Sequence, residues 1–107
     1  MRTPYGYMRE GDDWTVDEAA AGVVRRIFNE FAAPYRHTGL SELAVDLNLD
    51  DVATAAGGRQ WFPSTVRYLL RNKVYVGRRQ GYPAIVDQEV WDRAQQRLAA
   101  LPMGPTR

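Results

Sequence analysis

The 107-residue chain has no cysteine, one histidine and one lysine. Without cysteine there is no disulfide framework, no thiol nucleophile and no cysteine-based zinc site. That absence agrees with a cytoplasmic protein without establishing one. The single histidine, His37, has no second His or Cys near it in sequence, so a loop position on the surface is its default and a metal role is not expected. No apolar run approaches the ~20 residues of a membrane span, and the N-terminus has no apolar segment of the signal-peptide kind. A glycine-rich phosphate cradle is also missing, because Gly57-Gly58 lacks the Gly-Lys-Ser/Thr continuation. No cofactor and no membrane partner are expected.

The most informative absence is of acids. Residues 52–86 contain no Asp or Glu but hold six cations, Arg59, Arg67, Arg71, Lys73, Arg78 and Arg79. Residues 1–51 carry ten acids against five arginines, and residues 87–107 balance three against three. A total of +1 therefore hides a basic middle. Local clustering of Lys and Arg is what counterion release from nucleic acid rewards, whatever the rest of the chain carries. Thirteen of the fourteen cations are Arg. Arg suits bidentate phosphate and guanine contacts, but a GC-rich genome gives the same bias and is the preferred explanation of it.

What is present reads as one mainly α (α+β) domain over residues 1–101, with 102–107 as a linker or frayed tail. Residues 7–9 and 14–16 are expected to pair as a short hairpin across Gly11-Asp12-Asp13. A first helix begins near Thr15 to Asp17, with Thr15 or Asp17 as cap. It buries Ala20, Val24, Ile27, Phe28 and Phe31 and ends at Pro34. A second helix covers residues 40–48, with Leu40, Leu43, Ala44 and Leu47 on one face and Asn48 as terminator. After a loop turning at Gly57-Gly58, a third starts at Pro63 or Ser64, with Ser64 as N-cap. It buries Val66, Leu69 and Leu70, and places Ser64, Tyr68 and Arg71 on the opposite face, flanked by Thr65 and Arg67. Residues 74–79 and 83–86 are expected as two strands around Gln80-Gly81-Tyr82. A last helix runs from Asp87, as cap, to about Leu101, with Val90, Trp91, Ala94, Leu98 and Leu101 inward. Two short helices, the second basic outside, outline a helix-turn-helix, although the connection from 48 to 63 is far longer than the usual tight turn.

The ordered set TPYGY, VVRRIFNEF, GLSELAVDLN, Trp61, STVRYLLRNKVYVG and YPAIVDQEVWDRAQQRL resembles the recombinase domain of the large serine recombinases, the integrases and resolvases of mobile elements. The resemblance runs from Thr3 to Leu98. It implies a middle DNA-binding module that holds the attachment-site half beside the crossover, on double-stranded DNA. In such proteins a separate N-terminal domain supplies a nucleophilic serine and a C-terminal zinc ribbon adds DNA contacts; the whole acts as an oligomer on DNA. The only serines here, Ser41 and Ser64, lie at helix starts and in no catalytic motif. The chain is therefore expected to carry no chemistry itself and to work in the cytoplasm of a bacterium or phage host.

On this reading the DNA contacts are Arg67 and Arg71, to guanine or phosphate, and Tyr68, to phosphate. Ser64 and Thr65 lie at a helix N-terminus that favours phosphate, with plain capping as the alternative. Arg59 lies in the basic loop before that helix. At least one of Lys73, Arg78 and Arg79 is expected on the DNA backbone, and Arg2 lies in the segment that the resemblance brings near the minor groove. Trp61, Trp91, Phe28, Phe31 and Tyr75 are expected in the core, with Trp14 open; Gly6 and Gly77 are expected to serve backbone geometry. The pairs Asp12-Asp13 and Asp50-Asp51 read as solvated turns. Two other readings remain: a protein–protein docking module working through the acidic first half, and a stand-alone helix-turn-helix transcription regulator.

Overall fold

A computed structural model describes residues 4–33, 39–54, 58, 60–77 and 81–101. Pro34, His37, Gly57 and the tail 102–107 lie outside the described residues, as do the expectations attached to them. The chain opens with an antiparallel hairpin of β1 (Tyr7–Glu10) and β2 (Asp13–Val16), in register Tyr7 to Val16 and Glu10 to Asp13. Its loop is two residues, with Gly11 at φ +64°, where type II′ turns place glycine.

Helix α1 (Glu18–Ala32) follows at once. Asp17 caps it, its side chain accepting from the Ala20 N–H at 3.4 Å, and Glu18 in the first turn complements the helix dipole. Its inward stripe is Ala21, Val24, Ile27, Phe28 and Phe31, so Ala21 takes the buried place expected of Ala20, which is only half-buried. Both residues fit helical spacing, and the stripe that wins is the one continuous with Val24, Phe28 and Phe31. Helix α2 (Leu40–Leu49) begins where the Gly39 N–H donates to the Glu42 carboxylate at 2.9 Å. It packs on α3 (Pro63–Leu70), while α4 (Gln88–Ala100) packs along α1. All five aromatics expected in the core are there: Phe28, Phe31, Trp61, Tyr75 and Trp91. Trp14 is half-buried, stacked on Tyr82, and the Arg9 guanidinium lies over its ring at 4.8 Å.

The expected strands at 74–79 and 83–86 are not formed among the described residues. Lys73–Val76 is instead a turn of 3-10 helix. Val74 and Tyr75 are both buried, which a strand of a two-stranded hairpin with one face in solvent, sending neighbouring side chains to opposite faces, does not give. Asn72 caps this turn, its side chain accepting from the Val74 N–H at 3.1 Å, and Gly77 closes it at φ +77°. The Tyr75 carbonyl then accepts from both the Ile85 and Val86 N–H groups at 2.9 Å, which pins the returning chain without a ladder.

Tyrosines tie the first described residues to the stretch from 74 to 83. The Tyr75 hydroxyl donates to the Tyr5 carbonyl at 2.7 Å. The Tyr7 hydroxyl has one proton to share between the carbonyls of Pro83, at 2.6 Å, and Val74, at 3.0 Å. Gly6, at φ +99°, leaves room there; a Cβ on it would meet Ile85 at 3.1 Å. Burial, with Tyr82 adding a smaller contribution, pushes the Tyr7 phenol up to about 12, and burial pushes Tyr75 up as well. A raised phenol pKa means the folded state keeps protons that the unfolded chain has lost. Stability is therefore intact below pH 10 and falls as pH rises from 10 towards 12. Urea midpoints are expected to be level from pH 8 to 9.5 and to drop steadily above 10; a midpoint unchanged at pH 11.5 would refute the burial of these hydroxyls.

Candidate nucleic-acid interface

Helix α3 is placed by a contact that spans the long loop before it. The Asn48 side chain accepts from the Trp61 N–H at 2.6 Å and donates to the Trp61 carbonyl at 3.0 Å. The Trp61 indole N–H donates to the Val52 carbonyl at 2.9 Å, and its ring is buried. Asn48 is not the helix terminator: α2 runs on to Leu49, with Asp50 as C-cap and Asp51 in the left-handed conformation, at φ +59°, that ends it.

The start of α3 follows from Pro63. A residue before proline is held extended, and Phe62 has φ −121° and ψ 156°. Proline then takes the first helical position, where its missing N–H costs nothing. The N-cap is therefore Phe62, and Ser64, expected in that role, is the second residue of the helix. Val66, Leu69 and Leu70 point inward. Ser64, Tyr68 and Arg71 are exposed, and Thr65 and Arg67 are half-buried beside them. At the C-terminal end, the Gln95 amide donates to the Leu70 carbonyl at 2.7 Å and holds α3 to α4.

Ser64, Arg67, Tyr68, Arg71, Asn72, Lys73 and Val74 line one open groove of about 700 Å³. Three of its lining residues are cations and none is an acid. Among the described residues, Arg67, Arg71 and Lys73 make no ion pair. Arginines elsewhere are committed: Arg26 to Asp50 at 2.7 Å and Glu30 at 3.1 Å, Arg25 to Glu18 at 3.3 Å, Arg93 to Glu89 at 3.9 Å. Arg97 caps α1 by donating to the Phe31 carbonyl at 2.7 Å.

The structure thus brings Ser64, Arg67, Tyr68, Arg71 and Lys73 to one groove, with Thr65 on the flank of the same helix. Arg2, Arg59, Arg78 and Arg79 lie outside the described residues. Asn72 and Asn48 were not foreseen. An Asn two residues before a short apolar pair is the local signal for Asn72 as a cap, whereas Asn48 acts thirteen residues away and has no local signal.

A family model described as Recombinase matches residues 18–100. The chain belongs to the recombinase family. The matched span runs from the first residue of α1 to the last of α4, so it takes in the whole groove and every helix that supports it in this recombinase domain. No curated protein and no solved structure shows a significant match to the chain. Family membership gives the recombinase domain a role in site-specific recombination. Among the described residues no cluster of three His, Cys, Asp or Glu could hold a metal ion, and no helix is long and apolar enough to cross a membrane.

Truncating Asn48 tests how the groove is positioned. Asn48→Ala leaves both backbone polar groups of Trp61 without their partner, at a cost of about 1–3 kcal/mol. The expected result is a lower urea midpoint, with amide exchange quickened first at Trp61 and the start of α3. Unchanged exchange there would show that packing alone places the helix.

Proposed function

We propose that the chain is the duplex-gripping module of a site-specific serine recombinase, with α3 lying in the major groove. It holds the attachment-site half beside the crossover while a separate catalytic domain, with its own serine, cuts the strands. The observation that carries this reading is the groove along α3, where three cations with no acidic partner among the described residues stand on one helix and the turn that follows it. Arg67 and Arg71 are long and planar enough to take guanine O6 and N7 or a phosphate, and Lys73 suits a phosphate as a point charge. Ser64 and Thr65, in the first turn of α3, are placed to donate to a backbone phosphate. Arg2, Arg59 and at least one of Lys73, Arg78 and Arg79 are the further candidates for DNA contact.

The docking alternative draws on the acidic first half, but Glu18, Glu30 and Asp50 are already paired with arginines of α1, which leaves that surface less charged than its composition suggests. Working on DNA beside its own catalytic and zinc-ribbon domains, the module belongs in the cytoplasm and in an oligomer assembled on the attachment site.

Alone, the chain is expected to bind duplex DNA with a Kd of roughly 10⁻⁴ to 10⁻⁶ M at physiological salt. The groove cations contribute about three to the slope of log Kd against log salt. Arg67→Ala, Arg71→Ala and Lys73→Ala are each expected to lower that slope by about one. Arg71→Ala does so without loss of circular-dichroism signal, since its side chain is exposed. Salt-independent binding, or an unfolded Arg71→Ala variant, would overturn the assignment.

A further inference from the structure

Charge does not account for Tyr68. It stands out from α3 with 76% of its surface exposed, and its hydroxyl makes no hydrogen bond among the described residues. Ser64 lies one turn before it, Arg71 one turn after it and Arg67 beside it, all along the same groove. Its neighbours on the outward face of α3 are thus a hydroxyl and two cations, and the phenol ring is the apolar surface between them. Phe62 is also exposed, but it does not line the groove.

The edges of base pairs in a major groove are donors, acceptors and one apolar group, the C5-methyl of thymine. Cations and hydroxyls serve the first two kinds. Only an apolar side chain gains from the third. A bond from the Tyr68 hydroxyl to phosphate uses the polar tip alone and draws nothing from the apolar ring, which is most of what an aromatic side chain contributes to an interface. We infer that Tyr68 is a specificity-determining residue of this groove, its ring packing on the C5-methyl of a thymine between the bases or phosphates held by Arg67 and Arg71. This inference rests on the DNA-binding function proposed for the groove. It departs from a Tyr68–phosphate contact, because the ring and not the hydroxyl does the recognition.

The test uses the full chain and a random-sequence duplex library, from which the tightest-bound duplex is taken as probe. Each thymine of that probe is replaced in turn by deoxyuridine, which removes the methyl and nothing else, and binding is followed by fluorescence anisotropy. At one or two positions the replacement is expected to weaken binding by about three- to five-fold, the factor for one methyl-sized group returned to water. Tyr68→Phe, which keeps the ring and lacks the hydroxyl, is expected to show the same methyl effect, and Tyr68→Ala to show none. Indifference to every methyl, a methyl effect that survives in Tyr68→Ala, or its loss in Tyr68→Phe would each overturn the inference. Any of these would leave salt-dependent DNA binding, and so the proposed function, standing. A chain that binds no duplex at all would overturn both.

Discussion

Asn48 holds both backbone polar groups of Trp61, and where α3 begins depends on that pair of hydrogen bonds. The connection between α2 and α3 is too long to orient one helix against the other by turn geometry. A side-chain amide replaces the tight turn by acting as a short piece of partner strand, offering one donor and one acceptor to one residue. Trp61, buried and bonded through its indole to Val52, anchors the end of the loop, and Pro63 starts the helix two residues later. The exposed face of α3 follows from these constraints together with the inward pull of Val66, Leu69 and Leu70.

The far side of the groove is fixed by a different device. Tyr75 is buried in the 3-10 turn after α3 and spends its hydroxyl on the start of the chain and its carbonyl on residues 85 and 86. Tyr7 stacks against it and bonds the same region. Lys73 therefore sits on a turn whose neighbours are locked to both the hairpin and the segment that leads into α4. The backbone that carries Lys73 is thus fixed by contacts outside the groove.

Helices were legible wherever the apolar spacing was long and one-sided. The stripes of α1, α3 and α4 have the 3.6-residue period, and the hairpin announced itself by the glycine turn between alternating residues. The second hairpin misled because Val74, Tyr75 and Val76 have strand composition. Tertiary burial of two adjacent residues overrode that preference, and a 3-10 turn with an Asn cap and a left-handed Gly77 is how the backbone accommodates it. Ser64 misled as a cap for a similar reason: its own preference was sound, but Pro63 had already set the helix start one residue earlier. The outward grouping of Ser64, Tyr68 and Arg71 was readable because helical rotation alone decides it. Asn48 was not, since its partner is distant in sequence and only the folded chain brings them together.

On the function proposed for the groove, a duplex meets this protein along α3 and the turn after it. The direct measurement is the set of backbone amide shifts in an NMR titration of the ¹⁵N-labelled chain with a DNA duplex. The largest shifts are expected on Ser64, Arg67, Tyr68, Arg71 and Lys73, with those of β1, β2 and the outer face of α4 small. Shifts concentrated on the acidic hairpin or on α4, with α3 unmoved, would contradict it.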